Sequence, residues 1–195
     1  MDSSDICAQR QGRLSLLGNN KQQQAHLMPH KNFKFDRINK KIIEALQENA
    51  RISNLELAEI VHLSPSACLK RTKKLEEQGY IRRYTTNLDL AKMCVSVTII
   101  SNITLTDNRS SHGAGRFEQA IKKEPCAVEC YKVGGEIDYV VHFICVNLEQ
   151  YEKITEDLLD QDIGIARITS HVALSTPKPF AKYPLDELLW LVDND

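Results

Sequence analysis

The chain changes its hydrophobic period part-way along, and that change constrains the fold more than any other feature. Ahead of residue 80, apolar residues recur at helical spacing, as in Ile38, Ile42, Ala45 and Leu46. From Val95 to Leu105 apolar and polar residues mostly alternate, the period of a strand. A helix buries a stripe and a strand buries every second residue, so the two stretches belong to different modules. The expected architecture is a small all-helical domain followed by a mixed α+β domain.

Helix boundaries in the first module can be read from capping chemistry. Ser53-Asn54-Leu55-Glu56 is a capping box: the Ser hydroxyl accepts from the amide three residues on, and Glu56 reaches back. It opens a short helix burying Leu57, Ala58 and Val61. Val61-His62-Leu63-Ser64-Pro65 then forms a tight turn, an N-cap serine and a proline at the first helical position. The third helix runs from Pro65 to Gln78, ends at Gly79, and is expected to bury Leu69, Thr72 and Leu75. Three short helices with a tight turn between the last two make a helix-turn-helix. Tyr80 to Thr85 alternates like a strand and predicts a wing carrying Arg82 and Arg83.

The second module reads strand (Val95–Leu105), helix (Ala114–Lys123), strand (Cys126–Val133) and strand (Asp138–Val146). A helix (Leu148–Leu159) and a last strand (Ile163–Leu174) complete it. The Gly134-Gly135-Glu136 signal between the second and third strands marks a hairpin. The order β-α-β-β-α-β is the ferredoxin-like split motif, whose helices cover one sheet face and leave the other to find a partner. Four segments are therefore expected: a disordered tail over 1–32, a winged helix-turn-helix over 33–90, a ferredoxin-like domain over 91–178, and a tail over 179–195. In that last tail Leu185, Leu188, Leu189 and Val192 share one helical stripe.

The whole-chain net charge of −1 conceals an asymmetry. Residues 33–90 carry 11 Lys/Arg against 8 Asp/Glu, whereas residues 91–195 carry 10 against 16. The basic residues concentrate on the third helix and wing, as expected of a nucleic-acid-binding module joined to something else. No apolar run is long enough to span a bilayer, and Met1 to Lys31 lacks the pattern of a secretory signal. Six scattered cysteines suit a reducing compartment, and the spacing of Cys126 and Cys130 completes no metal site. His142 and His171 read as core or surface histidines. No nucleophile-base pair, paired carboxylates or phosphate loop stands out, so no catalytic residue, cofactor or metal is expected.

With its winged helix-turn-helix and β-α-β-β-α-β order, the chain resembles the Lrp/AsnC family of transcription regulators. The match is carried by Asp36-Arg37-Ile38, by Arg51 to Ala58 and above all by Leu63-Ser64-Pro65-Ser66-Ala67-Cys68-Leu69-Lys70-Arg71. Leu75 to Ile81 and the Gly135-Glu136-Ile137-Asp138-Tyr139 turn add to it. The resemblance runs from about Phe33 to Pro177. Three positions depart: His62 stands where the family has Gly, Ile137 where it has an aromatic, and Gly134 where a small hydroxyl residue is common. His62 is therefore expected in the left-handed backbone region.

The residues imply the following interfaces. The third helix enters the major groove of double-stranded DNA, with Ser66, Lys70 and Arg71 near base edges and Lys74 on phosphate. Ser64 and Ser66 at the helix N-terminus favour a phosphate, and Arg82 and Arg83 grip the backbone. The resemblance implies dimerisation through the sheet, with tetramers or octamers above it, and an amino-acid effector held between subunits. Glu136 and Asp138 could pair its ammonium, the Gly134 and Gly135 amides its carboxylate, and Thr169 and Ser170 could add hydroxyls. The expected protein is a cytoplasmic, nucleoid-associated regulator. Alternatives are an architectural protein that wraps DNA with little sequence preference, or a small-molecule-binding protein or enzyme built on the ferredoxin-like domain.

Overall fold

The structure is a computed structural model describing residues 35–106 and 111–188. The tail over 1–32, together with Leu189 and Val192 of the C-terminal stripe, lies outside the described residues. The chain divides into two units. Among the described residues, one comprises 35–85 together with 181–188, and the other runs from Thr86 to Phe180. In this division residues 181–188 group with the helical unit.

Among its described residues the first unit is built from three helices: α1 (Arg37–Glu48), α2 (Asn54–Ile60) and α3 (Pro65–Glu77). Each begins on a side chain that satisfies an amide the helix cannot. Asp36 Oδ1 accepts from the Asn39 amide at 2.9 Å, and Ser64 Oγ from the Ala67 amide at 3.3 Å. At α2 the capping box closes both ways: the Glu56 amide donates to Ser53 Oγ at 3.2 Å, and the Ser53 amide to Glu56 Oε2 at 2.9 Å. The Ser53 amide holds the Glu56 carboxyl below its ordinary value. Because α2 has only 7 residues, it depends on this cap. Ser53→Ala is expected to destabilise the unit by about 1 kcal/mol in urea unfolding, and an unchanged midpoint would remove the cap's importance.

His62 has φ 56, as its place in the turn requires, and Gly79 has φ 74 just past α3. The core gathers Phe35, Ile42, Leu57, Ala58, Val61, Cys68 and Leu75. One expected core residue is corrected. Leu69 is 44% exposed, and Cys68 at 0% takes its place. The spacing 68, 72, 75 closes a stripe at i, i+4, i+7, whereas Leu69 lies about 100° around the helix from Cys68. The expected strand over Tyr80–Thr85 is absent: the segment is irregular up to a 3-10 turn at Leu90–Lys92. An isolated strand has no ladder to hold it, and none of the described strands pairs with this segment. It is tied to α3 instead, by the Tyr84 hydroxyl donating to Glu76 Oε1 at 2.8 Å. Among the described residues, the expected C-terminal helix shows a 3-10 turn over Leu185–Glu187, with Leu188 extended.

The second unit follows the expected order: β1 (Val97–Leu105), α4 (Ser111–Lys123), β2 (Ala127–Lys132), β3 (Tyr139–Cys145), α5 (Leu148–Asp160) and β4 (Ile165–Val172). Its four strands form one antiparallel sheet in the order β2-β3-β1-β4. One face packs on the helices through Ile99, Ile103, Val141 and Phe143, which meet Phe117 and Ile121 of α4 and Tyr151 and Leu158 of α5. The other face carries Thr98, Ile100, Asn102 and Thr104 of β1 with Val140, His142 and Ile144 of β3, all half-buried. Ile100 is flanked by His142 on one side and His171 on the other. His142 Nδ1 lies 3.3 Å from Glu129 Oε2.

Candidate nucleic-acid interface and effector turn

Helical geometry sorts the side chains of α3 into faces. At 100° per residue, Ser66, Lys70 and Lys73 project opposite the buried stripe of Cys68, Thr72 and Leu75. All three are exposed, and so is Lys74. Asn54 Nδ2 donates to the Pro65 carbonyl at 2.8 Å and so fixes the start of α3 against α2. Ser64 Oγ lies 3.3 Å from Ser66 Oγ. Proline has no N–H and the Ala67 amide is already capped, so the first turn offers an anion less than expected. Among the described residues its remaining donor is the Ser66 amide.

Arg71 sits elsewhere. Its Nη1 lies 2.7 Å from Asp36 Oδ2 and 3.1 Å from Asn39 Oδ1, with Asn39 only 2% exposed. Here Arg71 forms an ion pair that holds α3 to the start of α1. The reason is angular: Arg71 lies beside the buried stripe rather than opposite it. Among the described residues, the ion pairs of this unit draw their cations from Lys40, Arg71 and Lys182. Lys70, Lys73, Arg82 and Arg83 stay outside those pairs, and all four are exposed.

Burial opposes ionisation of Asp36, but the Asn39 amide and the Arg71 guanidinium outweigh it and hold the carboxyl below its ordinary value. A depressed carboxyl contributes stability that is present above its unfolded pKa and lost as pH falls through the folded one. Asp36→Asn should therefore be less stable than the parent at pH 7, with the gap closing below about pH 4. Urea unfolding across pH checks this, and parallel profiles for the two proteins would refute it.

In the second unit, the turn between β2 and β3 carries Gly134, Gly135 and Glu136, all exposed. Gly135 has φ 129, a conformation that favours glycine. Asp138 closes the turn: its carbonyl accepts from the Val133 amide at 2.9 Å, and its Oδ2 from the Leu105 amide at 2.8 Å. One carboxylate oxygen thus pins β1. Thr169 is exposed on the open sheet face, opposite Asn102. Ser170 points the other way, where its hydroxyl pairs with Tyr151 Oη, which in turn lies 2.7 Å from Ser101 Oγ. β1 separates β4 from β3, so within one chain Thr169 sits about 10 Å in strand spacing from the hairpin strand.

Sequence reading put Lys73 away from the buried side of α3 without assigning it a DNA contact, and it missed Asp36, Asn39 and Asn54 as positioning residues. The periodicity of α3 signalled Lys73, whereas the Asp36–Arg71 pair spans 35 positions and has no local signal. Among the described residues no group of three or more His, Cys, Asp or Glu could hold a metal ion, and no helix is long and apolar enough to cross a membrane.

Residues 35–82 match the profile of a winged helix-turn-helix DNA-binding domain, and residues 98–183 match that of the Lrp/AsnC ligand binding domain. The chain belongs to the Lrp/AsnC family of transcriptional regulators. It is 38% identical over 154 residues to the transcriptional regulator AzlB of Bacillus subtilis, covering 78% of this chain and 97% of that protein. It is 33% identical over 144 residues to the leucine-responsive regulatory protein of Escherichia coli, covering 73% of this chain and 87% of that one. A Neisseria meningitidis regulator solved as a complex with L-Met superposes with TM-score 0.69 at 29% identity, over 79% of this chain and 99% of the other. In this Lrp/AsnC chain the DNA-binding module is therefore the three-helix unit, and the family's ligand binding domain is the sheet unit.

Proposed function

We propose that this Lrp/AsnC regulator reads specific double-stranded sites through α3 and adjusts that binding when its sheet unit takes up a free amino acid or similar metabolite. The observation that carries the reading is the outward stripe of Ser66, Lys70 and Lys73, set opposite the buried stripe of the same helix. In this reading Ser66 and Lys70 meet base edges, while Lys73 and Lys74 meet phosphate. Ser64 with Ser66 at the helix start, and Arg82 and Arg83 beyond its end, position the backbone. Arg71 orients the helix from behind.

The effector lies at the Gly134–Asp138 turn, where Glu136 and Asp138 face its ammonium, the glycine amides its carboxylate, and Thr169 of a second copy adds a hydroxyl. Ser170 is set aside, since its hydroxyl is engaged with Tyr151. Two copies pair through the open sheet face into a homodimer, with larger assemblies built from it, acting on the nucleoid in the cytoplasm. The relative solved with L-Met supports the effector class, and the separation of β4 from the hairpin within one chain supports a site completed by a partner.

Footprinting tests the DNA reading. Protection of discrete half-sites about 34 Å apart, one helical turn, is expected. Uniform protection regardless of sequence would replace it with a wrapping role. Calorimetry against the twenty amino acids tests the effector, and heat from none of them would remove it.

A further inference from the structure

Helix α1 lacks a favourable C-terminus of its own. Its last turn contains Glu48 and no basic residue, and a carboxylate at the carbonyl end opposes the helix dipole. The missing cation arrives from the far end of the chain, where Lys182 Nζ pairs with Glu48 Oε1. The next residue adds a two-point contact. Gln47 Nε2 donates to the Tyr183 carbonyl at 2.9 Å, and the Tyr183 amide donates to Gln47 Oε1 at 3.1 Å. Beyond it, Leu185 joins Ala45, Ile52 and Ile60 in lining an open cleft of about 570 Å³. Three polar contacts on two successive residues, with a shared apolar wall, make a fitted surface rather than a passing touch. The opposite end of α1 carries Asp36 and Asn39, the two residues that hold Arg71 of α3.

We propose that the C-terminal end of α1 is the receptor for the chain's own C-terminal segment, residues 181–188. By completing α1, that segment holds the helix that sets the position of α3 on DNA. Lys182 supplies the charge, Gln47 reads the backbone of Tyr183, and α1 transmits the restraint to Arg71. The second half of the proposal rests on reading α3 as the DNA-reading helix.

Two full-length variants, Gln47→Ala and Lys182→Glu, test it by hydrogen exchange and by fluorescence anisotropy on a footprinted duplex. Both variants are expected to exchange the amides of residues 46–49 about fivefold or more faster, with other helices unchanged. Both should bind DNA about three- to tenfold more weakly with an unaltered salt dependence, since no phosphate contact is lost. Adding Glu48→Lys to Lys182→Glu should restore both readouts. Unchanged exchange in both variants would overturn the docking. Faster exchange with unchanged DNA affinity would overturn the link to α3. Absence of DNA binding by the parent protein would instead count against the reading of α3, because the exchange readout uses no DNA.

Discussion

Replacing Arg82 and Arg83 together by alanine is expected to weaken DNA binding about ten- to hundredfold at physiological salt, while the fold stays intact. Both side chains are exposed, and both follow α3 on an irregular segment moored by Tyr84 to Glu76. Neither enters an ion pair among the described residues, so their removal leaves no buried charge behind. Each phosphate contact contributes about 0.9 to the slope of log affinity against log salt, so losing two should flatten it by about 1.8. Anisotropy titrations at several salt concentrations measure both quantities. Site preference should be unchanged, because phosphate contacts carry no sequence information. A parent-like slope would show that these arginines do not touch the backbone. Lys70→Ala makes the contrast, with a smaller slope change and a relaxed preference at one position.

The second large effect concerns the sheet unit. Phe117 is 0% exposed, and its ring centroid lies 4.6 Å from that of Tyr139, whose hydroxyl donates to Glu118 on the same helix. Phe117→Ala is expected to cost about 3–5 kcal/mol, the transfer of the ring plus the cavity it leaves. A small domain is stable by about 5–15 kcal/mol in total, so such a loss takes much of its margin. Urea unfolding monitored by tyrosine fluorescence gives the change directly. A loss below about 1 kcal/mol would mean that α4 is not packed on the sheet through this residue. The helical unit has its own core, so its unfolding in the same variant provides an internal control.

Element order was legible in the sequence because caps, turns and periods are local signals. Ser53 with Glu56, Ser64 with Pro65, and Gly79 marked helix ends within a few residues, and His62 entered the left-handed region as the turn demanded. Local signals failed where a long-range partner decides the outcome. Tyr80–Thr85 alternates as a strand does, but alternation without a neighbouring strand yields no ladder. Leu69 was misplaced, and the ion pair of Arg71 went unforeseen, for a different reason. Counting hydrophobic and basic residues treats a helix as a list, whereas stepping 100° per residue puts Leu69 on a flank and Arg71 against α1. The docking of Lys182 and Tyr183 on Glu48 and Gln47 spans more than 130 positions, beyond the reach of any motif. At the β2–β3 turn, Gly134 and Gly135 were legible as a hairpin signal, and Gly135 takes φ 129, while the mooring of Asp138 to Leu105 was not legible.

The three linked hydroxyls of Ser101, Tyr151 and Ser170 act as a vernier for the outermost strand. A strand that slides by one residue turns all its side chains over, and β4, exposed along most of its length, has little apolar burial to oppose such a slip. The hydroxyl chain opposes it, because only one alignment of β4 brings Ser170 to the phenolic oxygen of Tyr151, which is anchored in the core. Thr169 and His171 consequently face outward in a single, reproducible setting. The outer face of β4 thus presents one fixed pattern of side chains, set from inside the fold.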